Sequence, residues 1–132
     1  MRAIEAARER AQRRRTRTAE ADTSYAAFLQ DVATPVAKQV ANTLKAEGYG
    51  FTVFTPGDGL GLASDRGRDD YIEFALDAES DPPQVVGRIR YTRGSRTIDE
   101  ERPVKPGATP DAVSEEDVLA FLLDALGPWL ER

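Results

Sequence analysis

Four carboxylates crowd one short stretch of the chain: Asp65, Asp69, Asp70 and Glu73. Mg²⁺ and Ca²⁺ require clustered carboxylate oxygens, so this stretch is where a metal-dependent hydrolase would assemble. The spacing matches no calcium loop, however, and Arg66, Gly67 and Arg68 interleave with the acids, which reads as a solvated, self-neutralised turn. Asp58, after Pro56-Gly57, invites comparison with nuclease carboxylates, but Glu73-Phe74-Ala75 lacks the lysine such sites use. Gly57, Gly59 and Gly61 are spaced loosely like a phosphate loop, yet no helix follows them and no Lys-Ser/Thr pair is present, so they read as hairpin-turn residues. The expectation is a chain with no metal and no cofactor.

Composition bounds the remaining chemistry. The 132 residues include no Cys and no His, which removes disulfides, thiolate nucleophiles, thiolate zinc sites and the imidazole base that works near pH 7. Carboxylates, Lys, Arg, Tyr, Ser and Thr remain, an inventory that favours binding over catalysis. Fifteen Arg against three Lys reads as the composition of a GC-rich bacterial genome.

The net charge of -5 conceals an asymmetry: residues 1–20 hold seven Arg and three Glu, a net of +4, which leaves -9 on the rest. An acidic body repels nucleic acid and anionic membrane, so any polyanion contact belongs to the leader and its arginines Arg10, Arg13, Arg14, Arg15 and Arg17. No aromatic residue interleaves with them, so nucleic acid is the less favoured partner. Arg13-Arg14-Arg15 is followed by polar residues from Thr16 to Asp22 rather than an apolar export segment. The apolar runs are too short to cross a bilayer. A cytoplasmic protein with no membrane partner is expected.

The elements that must position these residues follow from periodicity. Residues 1–22 read as a solvated Arg-rich helix or arm with Glu5→Arg8 and Glu9→Arg13 pairs, and residues 23–132 as one α+β domain. Tyr25, Phe28, Leu29, Val32, Val36, Val40 and Leu44 recur at helical spacing, and Gly48 ends the run. Pro35 interrupts it, so two helical segments meeting at Thr34, with Thr34 as cap, are expected.

From Tyr49 the period switches to two, and five antiparallel strands follow: Phe51 to Thr55, Leu60 to Leu62, Tyr71 to Leu76, Gln84 to Thr92 and Arg96 to Arg102. A two-residue Gly94-Ser95 turn sets Arg90 opposite Asp99, Arg88 opposite Glu101 and Tyr91 opposite Ile98. Pairing Leu76 with Val85 then sets Glu73 opposite Arg88, Ile72 opposite Ile89, and Phe74 over Gly87. One sheet face is thus a charge ladder and the other is apolar. A last helix opens on Ser114 with Asp117 as a capping box and Val113 with Val118 as a staple, and stops at Gly127-Pro128. The architecture expected is an N-terminal helix broken near Pro35, a five-stranded antiparallel meander and a C-terminal helix, with the helices on one face of the sheet.

Two surfaces stand out. In this register Arg93 faces Arg96, an unfavourable like-charge pair that an anion or a partner's carboxylate would relieve, with Arg88 and Arg90 behind it. The last helix carries more apolar residues than one buried stripe needs, so Leu119, Leu123, Leu126, Trp129 and Leu130 form a candidate helical interface. The functional expectation is a non-enzymatic cytoplasmic protein-interaction module, an adaptor or chaperone-like binding protein that self-associates through its helices. The alternatives are a nucleic-acid-associated accessory protein that contacts phosphates through the arm, and the metal-dependent hydrolase.

Overall fold

The computed structural model describes residues 2–57, 59–67 and 69–131. Asp58 and Arg68, named above for the turn and the acidic loop, lie outside the described residues. The order is α1 (Arg2–Phe28), a π-helical turn (Leu29–Ala33), α2 (Thr34–Ala46), β1 (Phe51–Phe54), β2 (Leu60–Ser64), β3 (Tyr71–Asp77), β4 (Gln84–Arg93), β5 (Arg96–Pro103), a 3₁₀ turn (Pro110–Ala112), α3 (Glu115–Ala125) and α4 (Gly127–Leu130). The five strands form one antiparallel meander in the order β1-β2-β3-β4-β5. This is the α+β architecture that the change of period predicts.

The register of β3, β4 and β5 matches the charge and ring pairing in every expected pair. Glu73 faces Arg88, Ile72 faces Ile89 and Leu76 faces Val85. Arg88 faces Glu101, Arg90 faces Asp99, Tyr91 faces Ile98 and Arg93 faces Arg96. Gly94 takes φ 64 while no non-glycine residue among the described residues has positive φ, so the hairpin closes through a turn with glycine at its first central position. Val86 stands on the ladder face but is buried, flanked in register by Ala75 and Pro103.

Pro35 does not break the N-terminal helix. Proline has no N–H, and its ring collides with the carbonyl four residues back in an α-helix, here that of Asp31. The π turn relieves this by widening the preceding turn, with the Thr34 N–H bonded to the Leu29 carbonyl. Ala33, not Thr34, occupies the cap position of α2, and no side chain caps it. The wide turn inserts one residue into the repeat, so burial passes from Phe28 to Ala33 and Ala37 rather than through Val32, which is only half-buried.

One core cluster gathers Val36, Val40 and Leu44 of α2, Leu60, Leu62, Ile72, Phe74, Val85, Ile89 and Tyr91 of the sheet, and Val118, Phe121 and Leu122 of α3. Phe74 is the cross-strand partner of Gly87, but the ring that lies on Gly87 is Phe121. A Cβ built on Gly87 would stand 2.1 Å from Phe121 Cζ, so this close approach of α3 to β4 requires glycine. Arg102 extends over the Phe121 ring, 5.5 Å from its centroid, and reaches Asp124 at 2.5 Å, closing the core at the β5 edge.

α3 starts on the expected capping box: the Asp117 N–H donates to Ser114 Oγ and the Ser114 N–H donates to Asp117 Oδ2. Val113 and Val118 are both buried in the cluster. Helical structure does not stop at Gly127-Pro128. Leu126 ends α3 and opens α4, with Pro128 in its first turn, where a missing N–H costs nothing.

Candidate functional site: an arginine-rich helix and the outer face of α3

The acidic stretch is divided among separate tasks. Asp65 Oδ1 accepts from the Thr52 hydroxyl at 2.7 Å, tying the loop to β1. Glu73 pairs with Arg88 at 3.7 Å. Asp70, only 6% exposed, accepts from Trp129 Nε1 at 3.0 Å through one oxygen and from the Thr92 backbone N–H at 3.0 Å through the other. Among the described residues no group of three or more His, Cys, Asp or Glu is placed to hold a metal ion. The loop's chemistry is structural: it anchors the C-terminal turn to the end of the sheet. Trp129 sits edge-on to Phe51 (5.5 Å) and Tyr91 (5.8 Å), so ring packing and a buried hydrogen bond fix the same side chain.

The hairpin arginines do not converge. With a period of two, Arg88 and Arg90 project from one face of β4 and Arg93 from the other. Arg88 bridges Glu73 and Glu101, the latter at 3.2 Å, and its guanidinium pKa is raised first by the Glu101 hydrogen bond. Arg90 lies 3.5 Å from Asp99, and its pKa is raised first by a hydrogen bond with Tyr71. Arg93 leans on the Tyr91 ring, 6.0 Å from its centroid. The ladder arginines are neutralised by their own sheet and stand on the face away from the tip, so a four-arginine anion site is not assembled.

The candidate interface on the last helix also divides. Leu126 and Trp129 are core residues, and Leu130 packs against the cluster half-buried. The apolar surplus is taken up by α4, which folds Trp129 inward. What remains outside is a pair one turn apart, Leu119 at 40% and Leu123 at 54% exposure. Glu115 and Glu116 adjoin this pair at the N-terminal end of the helix, both exposed and without an ion pair among the described residues.

The leader is helical as far as the body. α1 meets the 3₁₀ turn (Pro110–Ala112). Ala21 is buried and Arg17 pairs with Asp81 at 3.9 Å. There a cleft of about 360 Å³ lies between Arg17, Glu20, Ala21 and Ser24 on one side and Pro82, Pro83 and Pro110 on the other. Residues 2–16 extend beyond it as about 20 Å of mostly exposed helix. Arg10, Arg13, Arg14 and Arg17 recur at helical spacing and continue the face that carries Ala21 and Phe28. Arg13 lies 3.9 Å from Glu9, and Arg15 donates to Gln12 at 2.8 Å.

One feature outside these surfaces carries a perturbed group. The Tyr25 hydroxyl is buried with no hydrogen-bond partner among the described residues. Its pKa is pushed up to about 12, first by burial and then by Glu73, with Arg88 opposing. Periodicity places Tyr25 on a buried stripe but cannot foresee an orphaned hydroxyl, since that depends on side chains about fifty residues away.

Comparison of the chain with protein-family models, with curated proteins and with solved structures finds no match. Among the described residues, no helix is long and apolar enough to cross a membrane.

Proposed function

We propose that the chain is a cytoplasmic, non-enzymatic protein-interaction module of the adaptor or chaperone-like kind. The observation that carries this reading is the pair of outward helical surfaces: a projecting helix on which Arg10 and Arg14 make no ion pair among the described residues, and the Leu119/Leu123 face of α3 beside Glu115 and Glu116, which make none there either. Exposed leucines one helical turn apart with a charged rim suit a helix-to-helix contact. The test is a Leu119→Ser/Leu123→Ser variant in the native host. It should keep the wild-type circular dichroism spectrum and lose the complex with which the wild-type chain co-purifies. A variant that retains that complex removes α3 from the account.

A second reading draws on the arginine row of α1, which suits a phosphate backbone. Arg10, Arg13, Arg14 and Arg17 would each replace a condensed cation, so affinity for a random oligonucleotide should fall at least tenfold between about 50 and 200 mM salt. Binding that is flat across that range, or unchanged when the four are replaced by Glu, excludes this reading.

A further inference from the structure

Among the described residues the exposed large apolar side chains are Ile4, Tyr49, Leu119 and Leu123, and three of them lie on α1 and α3. On the arm, Ile4, Ala7 and Ala11 share a face. Arg14 and Arg15 follow one turn after Ala11, while Glu5 and Glu9 lie on the far side of the helix. On α3 the order along the helix is Glu115 and Glu116, then Leu119, then Leu123. The two patterns are complementary when read in opposite directions: both advance in steps of about one turn, charge first and apolar next, with opposite sign.

We propose that the arm of one copy docks antiparallel on α3 of a second copy. Ala11 then sits on Leu119, Ala7 on Leu123 and Ile4 beside the α3–α4 junction at Gly127, while Arg14 and Arg15 meet Glu115 and Glu116. This rests on the reading of the chain as a protein-binding module and goes further by naming the occupant.

Three observations carry it. First, the charge match is specific: Arg14, Glu115 and Glu116 make no ion pair within the described chain, so the contact supplies partners that both sides lack. Second, Ala7 and Ala11 are small, so two helices can approach closely enough for the leucines to fill the space between them. Third, the contact is not made within one copy. Ala7 lies ten residues, about 15 Å, along α1 from the Arg17–Asp81 anchor, and Ala7, Leu119 and Leu123 are all left exposed. A reciprocal exchange about a two-fold axis makes the contact twice and closes the assembly.

The chain contains no Cys, so single cysteines report contacts unambiguously. Full-length Ala7→Cys and Leu123→Cys chains are mixed in equal amounts, oxidised mildly and run without reductant. The mixture should give a disulfide-linked dimer at least ten times more abundant than either variant alone. Arg14→Glu/Arg15→Glu should reduce that yield at least tenfold, and Glu115→Arg/Glu116→Arg in the same mixture should restore it. Absence of the mixed disulfide in folded protein, or a yield indifferent to charge reversal, overturns the exchange. A chain that is monomeric in sedimentation velocity, yet loses another protein's binding on Leu119→Ser/Leu123→Ser, overturns the exchange and leaves the module reading standing. A monomer with no such binding overturns both.

Discussion

Replacing Asp70 with Ala removes the acceptor for two N–H groups at once, the Trp129 indole and the Thr92 amide, each at 3.0 Å. A buried donor left without its acceptor costs about 1–3 kcal/mol, so the pair costs about 2–6 kcal/mol. A domain of this size is stable by about 5–15 kcal/mol, so the variant still folds at low temperature. At about 3–5 °C per kcal/mol its melting temperature should fall by at least about 6 °C. Trp129 is the chain's single Trp, so urea unfolding followed by its emission reads the lock and the global transition together, and the folded-state maximum should move to longer wavelength as water reaches the indole. Trp129→Phe keeps part of the edge contacts with Phe51 and Tyr91 but loses the donor. In a double-mutant cycle the two changes should be coupled by at least about 1 kcal/mol. Stability within about 0.5 kcal/mol of wild type for Asp70→Ala, or strictly additive costs in the cycle, refutes the assignment of Asp70 as the anchor of the C-terminal turn.

Other outcomes follow from the same packing. Gly87→Ala must displace the Phe121 ring and should destabilise the chain by about 1–3 kcal/mol in denaturant titration; no change would mean that α3 sits further from β4. Ser114→Ala should cost about 1 kcal/mol through loss of the cap. The Asp117 carboxyl is held below its ordinary value of 3.8, first by the Ser114 backbone N–H. The box therefore stabilises the fold above the unfolded-state value, and this contribution fades as pH falls through the lower folded value. The stability difference between wild type and Asp117→Ala, which removes the carboxylate that this N–H holds, should shrink in strong acid, and a difference that grows there contradicts this sign. Tyr25→Phe deletes a buried hydroxyl with no hydrogen-bond partner among the described residues and should be neutral or slightly stabilising, while removing from the ultraviolet pH titration a tyrosine pushed up to about 12. A loss above about 1 kcal/mol would show that the hydroxyl has a partner. Arg93→Ala/Arg96→Ala should leave stability within about 1 kcal/mol of wild type in thermal unfolding; a larger loss would give the tip a structural role.

What could be read from residue order was set by interactions that repeat locally. The β3–β4–β5 register was legible because Glu73, Arg88, Glu101, Arg90 and Asp99 constrain each other in pairs, and a slip of one residue would break every pair at once. The α3 capping box was legible for the same reason, since its partners are three residues apart. The π turn was not: Pro35 announces a disturbance, but whether the helix breaks or widens depends on packing of Phe28, Ala33 and Ala37 against the sheet. Nor was the fate of Trp129, whose acceptor Asp70 is 59 residues away. That long-range bond turned two apparent surface features, an acidic loop and a surplus apolar terminus, into one piece of the core. The grouping of Arg93 with Arg88 was correctable from strand parity alone, which sends odd and even residues to opposite faces.

Site-specific photocrosslinking in the native host tests the interaction reading most directly. A photoreactive residue is placed at Leu123, at Ala7 or, as a control, at Asp99 on the charge ladder. Protein adducts are predicted at Leu123 and Ala7 and not at Asp99. Adducts to nucleic acid alone at Ala7, or no adducts at Leu123 beyond those of the control, would contradict the assignment of the two helices as protein-binding surfaces.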